Sequence, residues 1–172
     1  MAGTGILVFL SLFVFAQPAP RASAPAELAP LQFLVGTWEG AGGGGPGQGS
    51  GEFAFKRDVA DKVIVRTNTA DYPATKDQPA THHEDLMVIH VDAGKVRADY
   101  WDSEGHTIHY ALTVRGTNDI TFVSDVVASE PRYRLSYKLG PDGLLTGTFE
   151  GAPPGKPDAF APYLSWSAKK KK

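Results

Sequence analysis

Apolar and polar residues alternate with a period of two through most of the chain from Glu52 onward, and short Gly-containing turns separate the alternating runs. The central stretch, His82 to Arg115, reads as three consecutive antiparallel strands whose turns fix their register. Val88-Ile89-His90-Val91 runs into Asp92-Ala93-Gly94-Lys95, where Gly accepts positive φ. A two-residue loop at Ala93-Gly94 pairs Val91 with Val96, Ile89 with Ala98 and Met87 with Tyr100. Asp102-Ser103-Glu104-Gly105-His106 forms the next turn, with Gly in its last loop position, as a three-residue loop requires. That loop pairs Tyr100 with Ile108, Ala98 with Tyr110 and Val96 with Leu112, all on the face that already holds Met87, Ile89 and Val91. A two-residue loop would set Asp99 against Tyr110 and Arg97 against Leu112, because a slip of one residue inverts every side chain. The apolar match therefore predicts the three-residue loop. The opposite face carries His90 beside Arg97 and Asp99 beside His109, a solvated outer surface.

The same reasoning extends along the chain. Phe33 to Gly40 begins the folded domain, entered by a short helical turn around Ala26 to Gln32. Glu52 to Arg57 and Asp61 to Thr69 are the next strands, followed by a long polar connection, Asp71 to Thr81, with two prolines. Such a connection is often a functional lid or simply mobile. Ile120 to Val126 and Arg132 to Leu139 follow the central meander. Gly140-Pro141-Asp142-Gly143 is a strong turn signal, and a three-residue loop there pairs Leu139 with Leu145, Tyr137 with Gly147 and Leu135 with Phe149. On the outside Arg134 then meets Glu150. Phe160 to Ala168 is the last strand.

These runs predict an all-β domain, an up-and-down antiparallel β-barrel of about ten strands over residues 31–168, since closure removes exposed sheet edges. A barrel of this size has an interior that side chains do not automatically fill. The expected lining includes Trp38, Met87, Tyr100, Tyr110, Phe122, Tyr133, Tyr137 and Phe149. Two readings stay open: an apolar cavity with tyrosine handles for a small apolar or amphipathic ligand, or a filled core in an envelope protein-interaction module without ligand or catalysis.

The N-terminal residues, 1–16, read as a secretory signal, because the apolar run Ile6 to Phe15 is too short to span a bilayer as a mature helix. Val14-Phe15-Ala16 is the preferred cleavage pattern, and an N-terminal core strand is the alternative. Residues 17–30 read as a Pro/Ala-rich linker without a core pattern, and residues 169–172 as a basic, solvated tail. The expected location is secreted or periplasmic, with no transmembrane segment in the mature chain.

Gly36-Thr37-Trp38 on the first strand of such a barrel resembles the calycin signature shared by lipocalins and related barrels. Within that group, Leu34-Val35-Gly36-Thr37-Trp38-Glu39-Gly40 is most similar to bacterial lipocalin-like domains of unknown function and to nitrobindin-like barrels. The resemblance implies that Trp38 closes one barrel end, in the family often against a late Arg. Here the last Arg is Arg134, and the terminal strand offers only Lys169 onward. The nitrobindin-like barrels bind haem through a His late in the chain, whereas no His follows His109 here. Haem is therefore not carried over, and no cofactor is expected.

Composition narrows the chemistry further. The chain of 172 residues has a net charge of −2 and no Cys. That gives no electrostatic case for nucleic acid and excludes disulfides, thiolate metal sites and Cys nucleophiles. Gly40 to Gly51 has glycine spacings of nucleotide-binding type, but neither the Lys-Ser/Thr nor the βαβ unit such a site needs. It reads as a flexible hairpin loop at a barrel mouth. No Gly-x-Ser-x-Gly occurs, so the chain is not read as an enzyme.

One constellation carries possible polar chemistry. In the register above Asp85 lies opposite Asp102, the three-residue loop sets Asp102 opposite His106, and alternation puts His83 on the face of Asp85. His83, Asp85, Asp102 and His106 are thus expected together at one barrel mouth, facing inward. Imidazoles with carboxylates suit Zn²⁺ or similar ions, or proton transfer. The bland alternative is a set of solvated strand ends, since turns are rich in Asp and Ser.

Overall fold

The computed structural model describes residues 23–41 and 49–172. The signal reading for residues 1–16, the first part of the linker and most of the Gly-rich loop lie outside them. Ten strands form one closed antiparallel barrel: β1 (Gly36–Ala41), β2 (Ser50–Asp58), β3 (Val63–Tyr72), β4 (Thr81–Asp92), β5 (Lys95–Asp102), β6 (Thr107–Gly116), β7 (Asp119–Ser124), β8 (Arg132–Leu139), β9 (Leu144–Ala152) and β10 (Ala161–Lys170). Each strand pairs with the next, and β1 pairs with β10 to close the ring. Among the described residues no helix is long and apolar enough to cross a membrane.

The register follows the turn chemistry. Met87 pairs with Tyr100, Ile89 with Ala98 and Val91 with Val96. Tyr100 pairs with Ile108 and Ala98 with Tyr110, and Leu139, Tyr137 and Leu135 meet Leu145, Gly147 and Phe149. Gly94 and Gly105 both take positive φ, 74° and 90°, which an L side chain would resist. Outside, Arg134 holds Glu150 through two hydrogen bonds of 2.6 and 2.7 Å, and His90 and His109 both bond Asp99. The outer face is not uniformly polar: Leu86 and Trp101 are cross-strand partners and both exposed.

A 3₁₀ helix, Ala26–Leu34, packs its leucines into the core. Leu28, Leu31 and Leu34 are fully buried, each stabilising by about 1.5–3 kcal/mol. Leu28 falls in the stretch read as linker, so the absence of a core pattern up to Pro30 is corrected: a three-residue leucine period is a 3₁₀ face, and Pro30 sits between its teeth. The helix is tied to the β2–β3 side of the barrel. Arg57 Nη2 donates to Gln32 Oε1 at 2.7 Å, and Lys62 Nζ donates to the Ser23 carbonyl at 2.8 Å. Trp38 Nε1 donates to the Leu34 carbonyl at 2.7 Å, satisfying a helix-end acceptor that would otherwise be orphaned.

The core is concentrated in this half of the barrel. Trp38, Phe53, Phe55 and Tyr137 contact one another with ring centroids 5.5–6.4 Å apart, distances typical of favourable aromatic pairs. Lys170, directly opposite Trp38 in the β1–β10 register, fills the place where the resemblance implied an Arg. Its Nζ stands 5.3 Å from the indole centroid, and its stem lies over Gly36, where a Cβ would meet Lys170 Cε at 2.3 Å.

Candidate functional site

The other half of the barrel is hollow. A cavity of about 720 Å³ opens at the end carrying the β3–β4 and β9–β10 loops, within the range of small-molecule sites. One wall is apolar and aromatic, formed by Ile108, Tyr133, Phe149, Tyr163 and Leu164. Tyr133 and Phe149 stack with centroids 5.4 Å apart, and Tyr163 meets Phe149 edge-on at 6.2 Å. A break in the β9–β10 register lies between Pro162 and Leu164. The extra residue, Tyr163, turns at this bulge toward Phe149 and the mouth, which strict alternation would have denied it. Pro73, Thr75, Gln78 and Pro79 of the β3–β4 connection cover part of the opening, so that long loop does border the cavity.

The structure divides the expected lining in two. Tyr100, Tyr133 and Phe149 line the cavity. Trp38, Met87, Tyr110, Phe122 and Tyr137 are at most 1 % exposed and belong to the packed half. For these five the expectation of a cavity-lining role is corrected: they face inward, as alternation requires, but each is packed within the core cluster and none borders the cavity.

The facing wall is polar and carries His83, Asp102, Glu104 and His106. Asp85 pairs with Asp102 across β4 and β5, as the register required, but the four expected residues form two separate sets. Asp85 is drawn inward by a buried ion pair with Arg66 Nη1 and accepts from Asn68 Nδ2 at 2.9 Å. His83 bridges outward from it, with Nε2 3.1 Å from Asp85 Oδ2 and Nδ1 2.8 Å from Glu104 Oε2. The bond to Asp85 and the one to Glu104 hold the proton on His83 against the opposing effect of burial and raise its pKa to about 9. At neutral pH this imidazole is a cation with both nitrogens engaged, which opposes metal ligation because a ligating imidazole must be neutral.

Asp102 belongs to the second set. Its carboxylate accepts from the backbone N–H groups of Glu104 and His106 at 3.1 and 2.9 Å, and lies 2.9 Å from His106 Nδ1. Burial alone would raise its pKa, but the His106 contacts outweigh it and the net shift is downward. Tyr100 Oη donates to the same carboxylate at 3.3 Å, and burial pushes the Tyr100 phenol far up. Asp102, Glu104 and His106 place one ligand atom each within 4.8 Å of one another, so of the four expected residues Asp102 and His106 belong to this group.

Arg66, Glu104 and Tyr163 complete the site and were not legible as site residues. Glu104 reads as a turn residue, and Tyr163 is re-aimed only by the bulge. Arg66 had one available signal: it sits two residues after Ile64, hence on the same face of β3 as a core residue.

The chain matches no protein-family model and no curated protein. The class that the fold and cavity define is a closed, ten-stranded up-and-down barrel with one plugged end and one open end, an architecture consistent with the calycin barrels.

Proposed function

We propose that the protein is a secreted or periplasmic, non-enzymatic, calycin-like barrel that binds a small apolar or amphipathic molecule in its open half. The observation that supports this most is the asymmetry of the interior. The plugged half is packed, whereas the open half leaves about 720 Å³ between an aromatic wall and a polar wall. A stack such as Tyr133–Phe149 offers a flat apolar surface, and the opposite wall supplies polar handles, the combination that small-molecule sites use. The alternative, a filled-core interaction module, draws on the exposed Leu86–Trp101 pair, but its packed interior extends over only half of the barrel.

Native mass spectrometry and solvent extraction of the purified protein test the reading, followed by titration with 1-dodecanol monitored by tryptophan emission. A co-purified apolar compound, or dodecanol binding with Kd below about 1 mM, is the expected result. Neither compound bound nor emission change in that range overturns it.

A further inference from the structure

Carboxylates and aromatic rings line the main cavity, and among the described residues no lysine or arginine does. The rings are Tyr72, Tyr100, Tyr133, Phe149 and Tyr163, and the acids are Asp102 and Glu104. The cations of the polar wall are already shared. Asp85 takes Arg66 and one nitrogen of His83, and Glu104 takes the other nitrogen. Asp102 is a third carboxylate. Its partners are His106, two backbone N–H groups and the Tyr100 hydroxyl, and the His106 contacts hold it ionised against the opposing effect of burial. Arg66 and His83 thus face three carboxylates, which leaves this wall with an excess of negative charge.

Glu104 is the accessible member. Its side chain is half-exposed, and both of its oxygens meet a single donor, His83 Nδ1, at 3.0 and 2.8 Å. An ionised carboxylate accepts about four hydrogen bonds, so capacity is left for a donor arriving from the cavity. Asp102 and Glu104 have ligand atoms within 4.8 Å of each other, close enough for one cationic head to be attracted by both. Tyr100 adjoins them, its hydroxyl 3.3 Å from Asp102, and the negative face of an aromatic ring attracts a cation as well. An ammonium head at this place gains charge-assisted hydrogen bonds, an uncharged head gains ordinary ones, and a carboxylate head meets like charge.

We propose that the bound molecule is an amphipathic amine, with its ammonium head at Glu104 and Asp102 beside the Tyr100 ring and its apolar body along Tyr133 and Phe149. The inference rests on the ligand-binding reading above and adds the head-group chemistry to it.

Dodecylamine, 1-dodecanol and dodecanoic acid, three probes with one apolar body, test it by titration against the full chain at about pH 8, above the ordinary imidazole range and below the alkylammonium range. The amine is expected to bind at least tenfold more tightly than the alcohol, and the acid most weakly. Asp102→Asn/Glu104→Gln keeps the size of both side chains and an acceptor oxygen for the turn, and removes both charges. In that variant amine and alcohol are expected to bind alike, with folding checked by circular dichroism. Should it not fold, Glu104→Gln alone, at a half-exposed turn position, is expected to lower the amine preference at least threefold. Glu130→Gln removes one charge from an exposed residue of the β7–β8 connection that does not line the cavity, and there the amine preference is expected to stay unchanged. Equal affinity for amine and alcohol in the unaltered protein, a preference for the acid, an amine preference that survives in the folded carboxylate variant, or an equal fall in Glu130→Gln overturns the inference while cavity binding stands. Binding of none of the three probes overturns the ligand-binding reading itself.

Discussion

Lys170 Nζ lies 5.3 Å from the centroid of the Trp38 indole, and the two residues are direct partners across the strands that close the barrel. The contact joins the first strand to the last at the plugged end. Trp38 contributes most of the stabilisation there, because it is buried, stacks on Phe53 and holds the helix-end carbonyl of Leu34. Trp38→Ala is expected to cost about 3–5 kcal/mol. Lys170→Met keeps the stem and removes only the cation–π attraction, so the expected cost is about 1 kcal/mol or less. Urea unfolding of the two variants checks the ranking, and equal losses would contradict it.

His83 gives a pH signature. Its folded pKa of about 9 lies above the ordinary value near 6.5. The protonated form is thus favoured by folding, and its contribution is complete below about pH 6.5 and disappears as pH rises through 9. The upper bound from a shift of this size is about 3 kcal/mol. His83→Gln is therefore expected to cost more stability at pH 6 than at pH 10. NMR titration of the His83 ring protons should give a midpoint near 9, and a midpoint near 6.5 would show that Asp85 and Glu104 do not hold the proton.

Tyr137 is fully buried, and its hydroxyl has no hydrogen-bond partner among the described residues. Burial pushes its phenol up to about 12. Tyr137→Phe keeps the ring contacts with Phe53, Phe55 and Trp166 and removes a desolvated polar atom. A gain of about 1 kcal/mol in unfolding free energy is expected. A loss of similar size would show that the hydroxyl is bonded in solution.

The β2–β3 turn stores backbone strain. Val59, Ala60 and Asp61 have φ of 48°, 53° and 66° in succession, a conformation costly for a β-branched residue. Val59 is also exposed, so its side chain recovers little by packing. Val59→Gly is expected to raise stability by about 1 kcal/mol, read as an upward shift of the thermal midpoint. A downward shift would place a packing role on the valine.

Sequence carried the architecture further than the site, for a physical reason. Tight turns fix register, so Met87–Tyr100, Tyr100–Ile108 and Leu135–Phe149 follow from a glycine position and an apolar match. The β3–β4 connection is long and has no such turn. The register that sets Asn68 opposite Asp85, and with it the approach of Arg66, has no local signature. Alternation also says which face a residue takes but not its depth along the barrel axis. Tyr137 and Tyr133 lie on the same inward face of β8, yet one is packed against Phe55 and the other borders the cavity. The 3₁₀ helix shows in the sequence only as a brief entry turn, because Pro30 interrupts any α-helical pattern while leaving the 3₁₀ leucine spacing intact.

Gly151 offers the most direct test of the open half of the barrel. It lines the cavity, pairs with Tyr133 and with Ala161, and a Cβ built on it meets nothing within 4 Å. A large side chain there has the cavity to enter without displacing packed atoms. Titration of 1-dodecanol against the unaltered protein and against Gly151→Trp, with thermal unfolding to confirm the fold, therefore isolates the cavity. The expected result is binding in the unaltered protein and at least a tenfold weaker affinity in Gly151→Trp at nearly unchanged stability. Equal binding by the two folded proteins would contradict the account, because the ligand would then lie outside the barrel mouth.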